Sequence, residues 1–378
     1  MKLNILLLST LFFITINTES ILGQGCVAIR PTSCSMVNGL GILPKGGTQF
    51  TSNYQYFKSY RHFRGDVEEH ERIENKTQVE NFSHAVDLGV QYAITSKFSV
   101  GFNMLILFYK RTSLYEHYGN SLDRNPNQER FETKSAGIGD MRITGSFWLF
   151  DPNNLESKGN LSLGTGIKLP TGNSNVQGDF HKLSTIGKDS IVNKAVDQSI
   201  QLGDGGWGII VQFQGVRKLF KSRILYANGF YLANPMTQNK TISKGKLIGA
   251  DPIIAYHSIP DQFSIRAGFN YNSQKATGLS ISLGARFEGI PSQDLIGSSN
   301  GYRRPGNVVS IEPGISYNHQ QLSLGLTVPT AIYRNRVKSV YDLADPLGKR
   351  HGDAAFADYL VNFTFAYRLL NNVHHEEM

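Results

Sequence analysis

From residue 98 to 108 every second position is apolar. Phe98, Val100, Phe102, Met104, Ile106 and Phe108 alternate with Ser99, Gly101, Asn103, Leu105 and Leu107. The same period of two runs through 160–169, 263–271, 279–288, 322–328 and 359–369. Successive side chains of a strand point to opposite faces, so each segment predicts a strand with one apolar and one polar face. Glycine is frequent on the polar face, where it leaves room in an enclosed lumen. No segment sustains a 3.6-residue apolar period, so little helix is expected. Weaker strands are predicted at 50–60, 86–92, 141–149, 207–215, 223–233, 253–257 and 309–317.

The strong segments run for about 9–12 residues. A tilted strand that crosses a bilayer needs about 9–11 residues, whereas strands of soluble proteins average five or six. The connections alternate in length. Residues 95–97, 151–158, 221–222, 260–261 and 318–320 read as tight turns, and 61–81, 110–136, 171–206 and 234–250 as long polar loops. Outer-membrane barrels have short periplasmic turns and long extracellular loops, with both chain ends on the periplasmic side. The expected fold is all-β, a single transmembrane antiparallel up-and-down β-barrel. The count gives thirteen strands and the alternation slips after residue 272, with 291–307 and 334–355 both long. A closed single-chain barrel needs an even number. One strand within 250–307 is therefore in excess or missing; about twelve strands are expected, with fourteen as the alternative.

A secreted β-sandwich or propeller would also alternate. Strand length and loop alternation favour the barrel, as do aromatics near strand ends (Phe108, Tyr109, Trp148, Phe150, Tyr271, Phe287, Tyr317, Tyr333), placed like interfacial girdles. The last strand, 359–369, ends in aromatic and apolar residues like a signal to the outer-membrane assembly machinery. A short tail, 371–378, follows it.

The N-terminus sets the compartment. Lys2 precedes an apolar block, 5–16, and a polar stretch, 17–23, with Ile21 and Gly23 placed for cleavage before Gln24. Residues 1–23 read as a secretory signal peptide. Residues 24–47 form an N-terminal periplasmic segment, and 48–370 the barrel. Export places the chain in the bacterial outer membrane, with outer-membrane lipid and a small-molecule solute as its partners. Cys26 and Cys34 could close a short disulfide loop in an oxidising compartment, or stand as free thiols or a redox pair. The chain of 378 residues carries a net charge of +8. Its basic residues are scattered and the chain is exported, so nucleic acid is not an expected partner. A mean hydropathy of −0.25 fits apolar residues dispersed at every second position around a polar interior.

Several short motifs carry a family resemblance. They are Gly137-Ile138-Gly139-Asp140, Gly166-Ile167-Lys168-Leu169-Pro170-Thr171-Gly172 and Gly203-Asp204-Gly205-Gly206-Trp207, then Arg303-Arg304-Pro305-Gly306 and Glu312-Pro313-Gly314. Across 48–370 the chain resembles outer-membrane barrels of the MetA-pathway phenol-degradation type, which are distantly similar to FadL-type transporters of fatty acids and aromatics. The resemblance implies uptake of small hydrophobic molecules, with 24–47 as a plug of the lumen. Read on their own chemistry, the Pro170 and Gly172 motif is a strand exit and Gly203–Gly206 a flexible lead-in to a strand.

With the apolar face toward lipid, the candidate lumen-lining charges are Arg142, Lys168, Arg266, Arg286, Arg368, Asp87, Asp140, Glu288 and Glu312, with Asp358 beside them. Such a set would brace the barrel through salt bridges or orient a polar or anionic solute. No catalytic, metal or cofactor motif is found. Histidines 62, 70, 117 and 181 fall in predicted loops, and no HExxH or GxSxG is present. The expected function is an outer-membrane channel for a small hydrophobic, aromatic or amphipathic solute. The alternatives are a structural or adhesive barrel whose loops bind partners, and an outer-membrane lipolytic enzyme using His84 or His257.

Overall fold

A computed structural model describes residues 42–370 except 153–157, 185–186, 244 and 246. Signal peptide, Cys26, Cys34 and C-terminal tail lie outside the described residues, as does most of the proposed plug. Twelve strands close a ring. They are β1 (Thr48–Arg64), β2 (Glu80–Ala93), β3 (Phe98–Ser113), β4 (Phe131–Ile138 and Met141–Trp148), β5 (Gly159–Leu169) and β6 (Gly208–Phe220). The others are β7 (Arg223–Ala233), β8 (Gln262–Asn272), β9 (Leu279–Ile290), β10 (Gly306–His319), β11 (Leu322–Thr327 and Thr330–Asn335) and β12 (Ala354–Leu369). Every neighbour is antiparallel, and β12 closes on β1 from Thr48↔Leu369 to Phe63↔Ala354.

The surplus strand of the sequence reading is 253–257. Those residues form a 3-10 turn, Pro252–Ile254, and a three-residue strand, Tyr256–Ser258, that pairs with Gln238–Ile242 outside the ring. Pro260-Asp261 is accordingly part of the long connection 234–261 and not a turn of its own. With that correction the alternation is complete. Short connections at 94–97, 149–158, 221–222, 273–278 and 320–321 share one end with the chain termini, and six long ones (65–79, 114–130, 170–207, 234–261, 291–305, 336–353) form the other. Among the described residues, helix is confined to Glu71–Glu74, Val340–Leu343 and two 3-10 turns.

The faces are the reverse of a soluble barrel. On β8, Ile265 is 46% and Phe269 58% exposed, while Ser264 and Asn270 are each 5% exposed. An apolar skin around a polar interior belongs in hydrocarbon, and a closed ring leaves no unpaired edge there. The aromatic girdle needs one correction. Phe108, Phe150, Tyr271, Tyr317 and Tyr333 stand on the outer surface, but Tyr109 and Trp148 are buried. They follow Phe108 and Phe147 by one residue, and one step along a strand reverses the face.

Two wall strands are broken. In β4 the ladder to β3 passes from Ile106↔Ile138 to Asn103↔Arg142, leaving Gly139-Asp140 between the two pieces. In β11 the break falls at Val328-Pro329, opposite Pro313 of β10, whose carbonyl accepts from Val328 N at 3.1 Å. The missing N–H of Pro313 faces the same side as that carbonyl, where the interrupted partner demands no donor. A proline is thereby tolerated inside a central strand.

Candidate functional site

Three of the motifs converge at the β4 break. Oδ1 of Asp140 accepts from Gly172 N at 2.9 Å and its Oδ2 from Asp204 N at 3.2 Å. Thr171 donates its hydroxyl to Gly139 O at 2.9 Å. Lys168 is 1% exposed; its Nζ forms an ion pair with Asp204 and lies 4.0 Å from Asp140. A Cβ built on Gly203 would stand 2.4 Å from Gly172 O, and one on Gly172 would stand 2.6 Å from Leu202 O. The two backbones touch, and only glycine permits it. The motifs are therefore more than strand exits: they fasten the long connection 170–207 inside the barrel. Asp204, absent from the sequence-derived set, is the nearest partner of Lys168.

The inner face of β3 turns apolar beside this junction. Leu105, Leu107 and Tyr109 pack with Ala85 against Val196, Ile200 and Leu202, with Val176 alongside. Positions 105 and 107 carry two successive leucines where the other strongly alternating strands place mostly polar or small residues, which is the sequence signal for this contact.

The remaining charges fall into groups. Asp87 accepts from Asn103 at 2.9 Å and has Arg142 as its charged neighbour. Across β8, β9 and β10, Arg266 pairs with Glu312, Arg286 with Glu288 at 2.5 Å, and Arg286 approaches Glu312 at 3.9 Å. Arg368 donates to Gln49 at 2.9 Å near the short-turn end. Asp358 pairs with Arg61 and Arg334, each at 2.7 Å. The charges are thus spread along the wall as paired groups.

Among the described residues, one cavity lies in the barrel interior and another at its loop end. A small one of about 70 Å³ sits toward the short turns, lined by uncharged polar groups such as Gln49, Gln91, Gln212 and Gln214. A larger chamber of about 540 Å³ lies under the long loops. Arg72, Arg111, Arg303, Arg304, Arg336 and Arg350 line it, against two aspartates, Asp342 and Asp353. These arginines arrive from separate loops and strand ends, so nothing but the Arg303-Arg304 pair marks them in the sequence. Asp197 anchors the connection 170–207 beneath the chamber. It accepts from Arg304 at 2.8 and 2.5 Å and caps the 3-10 turn through Ser199 N at 2.9 Å. Burial pushes its carboxyl up, but Arg111 and Arg304 outweigh burial and hold it well below the ordinary carboxylate range.

His62, Glu69 and Asp353 bring ligand atoms within 4.8 Å of one another. His62 Nε2 accepts from Val79 N at 2.9 Å, Nδ1 faces Asp353 at 2.6 Å, and Glu69 is held by Arg64 and Arg72. Both ring nitrogens are engaged, so the trio is a hydrogen-bonded brace and not a metal site. Among the histidines considered for lipolysis, His84 sits on the outer wall with its ring 4.8 Å from that of Tyr56, and His257 is buried in the connection 234–261.

No family model and no curated protein matches the chain. Among solved structures, the COG4313 outer membrane channel from Pseudomonas putida F1 is similar over 89% of this chain and 100% of its own, at 12% identity and a TM-score of 0.55. The CymD monoaromatic hydrocarbon channel (9% identity, 93% of this chain and 99% of its own, TM-score 0.44) and a Pseudomonas aeruginosa FadL homologue (11%, 86% and 89%, TM-score 0.37) follow. The first of these shares the fold.

Proposed function

We propose that the chain is an outer-membrane channel that passes a small hydrophobic, aromatic or amphipathic solute. The observation that carries this reading is the half-open chamber of about 540 Å³ that the long loops and strand ends form at the barrel mouth. A barrel serving only as a scaffold for adhesive loops has no need of an internal space of that size. Its volume is that of small-molecule pockets, about 300–1,000 Å³. The fold shared with the Pseudomonas putida F1 outer membrane channel supports the reading, and so does the neutral polar recess toward the opposite end. Along the route we place Arg142, Lys168, Arg266, Arg286, Arg368, Asp87, Asp140, Glu288 and Glu312 as lining charges that brace the wall and filter the solute. Catalysis has no part in this reading.

The test is swelling of liposomes containing the refolded full chain, joined to uptake by a deletion strain offered aromatic, fatty-acid and small polar substrates. Solute-dependent swelling and a substrate-specific uptake defect are expected. A sealed barrel with no flux of any solute would overturn the channel and favour a surface-binding scaffold.

A further inference from the structure

We infer that the outer wall around the turn between β6 and β7 is a docking site for an anionic phospholipid of the periplasmic leaflet, with Arg217, Lys221 and Arg223 receiving its phosphate. The site lies on the outside of the barrel, apart from any route through it.

Charge comes first. The net charge of +8 is unevenly placed. The six long connections hold sixteen basic and eighteen acidic residues, so the loop end is close to balance. At the opposite end four of the five short connections carry a lysine (Lys97, Lys158, Lys221, Lys275), and the acidic residues in those connections are Asp151 and Glu156. The densest group lies where β5, β6 and β7 end. Lys218 N donates to Lys158 O at 2.6 Å, Arg217 pairs with Gly159 on one side and Leu225 on the other, and Arg223 pairs with Phe220 across the turn that holds Lys221. Five cations thus meet around one hairpin, all of them exposed. Among the described residues no carboxylate lies within 4.0 Å of any of the five. Like charges gathered this closely repel, so an anion seated between them is favoured.

Position comes second. Arg217, Leu225 and Phe269 are paired in line across β6, β7 and β8, and Phe269 belongs to the apolar skin, so Arg217 stands on the lipid side. An irregularity between Lys218 and Phe220 turns Phe220 to the face of Arg223, whose partner on β8 is Tyr271. Phe220 is 65% and Tyr271 46% exposed, and the Arg223 guanidinium lies 5.7 Å from the centroid of the Phe220 ring. Arg217 and Arg223 are diagonal neighbours on the ladder, about 7–8 Å apart, a gap that two long side chains close on one phosphate. Cations beside exposed aromatic rings at the margin of an apolar skin sit at headgroup depth. The short turns face the periplasm, so this is the periplasmic headgroup layer. A cell-wall polymer arriving end-on would meet the cations and leave Phe220 and Tyr271 uncovered. A phospholipid covers both, its phosphate on the cations and its acyl chains along the wall.

The probe is phosphatidylglycerol brominated on its acyl chains, mixed into phosphatidylcholine vesicles that hold the full chain carrying Phe220→Trp. Bromine quenches a tryptophan that the lipid touches, and the difference from the unsubstituted chain isolates position 220. Brominated phosphatidylcholine at the same fraction is the reference. Phosphatidylglycerol should be preferred at least five-fold, about the factor of one nearby cation. Arg217→Gln, Lys221→Gln and Arg223→Gln together should remove the preference, with the fold checked by heat-modifiable migration. Lys221→Gln alone, in the turn, is the second variant should the triple one fail to fold, and it should at least halve the preference. Lys110→Gln and Lys134→Gln, at the long-loop end of the outer wall, should leave it unchanged. Equal quenching by the two lipids, or a preference that persists in the folded triple variant, would overturn the lipid site. Sedimentation with purified peptidoglycan is the companion measurement. Retention on peptidoglycan that the triple variant loses, without any lipid preference, would give these cations to the cell wall and overturn the lipid site as well.

Discussion

Asp140 accepts a hydrogen bond from the backbone N–H of Gly172 at 2.9 Å, tying the break in β4 to the first residues of the connection 170–207. The bond matters because Gly172 and Gly203 lie against each other with no room for a side chain. Gly203→Ala should therefore destabilise the barrel by about 1–3 kcal/mol through overpacking. The check is the temperature at which its heat-modifiable gel shift is lost. An unchanged temperature would show that the two segments can separate without cost.

Lys168 and Arg286 are the interior charges whose removal is most informative. Lys168→Ala leaves Asp140 and Asp204 together without their cation, and Arg286→Ala leaves Glu288 unpaired and Glu312 with Arg266 alone. Breaking a buried pair by removing one partner costs roughly 3–5 kcal/mol, so both variants should melt earlier. Both should also change single-channel conductance or solute uptake. Loss of stability with unaltered conductance would leave these residues as braces only.

The outer face sets a depth-dependent expectation. Ile265 lies two residues from the centre of β8 on its long-loop side, half-exposed on the apolar skin. Ile265→Arg should cost about 2–4 kcal/mol in folding titrations from denaturant into lipid vesicles, the value for a charge near the bilayer midplane. An effect below 1 kcal/mol, as near an interface, would mean that the strand sits at a different depth.

The long loops should loosen in acid. His117 is buried with its ring against Phe180 and Phe131, and its Nδ1 accepts from His181 N at 3.1 Å. Burial pushes its pKa down from 6.5 to about 4; Glu116 opposes the shift, and His181, Lys182 and Lys194 add to it. The sign follows from proton uptake. Between about 4 and 6.5 the undocked loop binds a proton that the docked loop excludes. Docking strength is therefore full above the upper value and falls as pH drops through that window. Proteolytic protection of 114–130 should decline from pH 7 to pH 4.5, and His117→Gln should flatten the profile. His181→Gln, tested beside it, separates the neighbouring ring. A profile unchanged by His117→Gln would assign the acid response to another group.

Much of this protein was legible in its sequence because a lipid-facing wall imposes a strict rule. Each wall strand must show apolar groups to hydrocarbon and may show polar groups to the lumen, so the period of two survives along Phe98–Phe108 or Leu279–Phe287 without any knowledge of the partner strands. The same alternation turns Lys168, Arg286 and Glu312 away from the lipid face. Residues 253–257 misled because a short apolar run is common to a strand and to a buried segment of a long connection; only the ring, closed by β12 on β1, excludes them. The chamber was out of reach for a related reason. Arg72, Arg111, Arg304, Arg336 and Arg350 are separated along the chain by dozens of residues in most cases and obey no period. Their meeting depends on how the loops fold back over the barrel mouth, and on the glycine contact that fastens 170–207 beneath them. Alternation is a local consequence of strand geometry and is written residue by residue. The convergence of charges is a long-range consequence of closure, and the tertiary structure alone decides it.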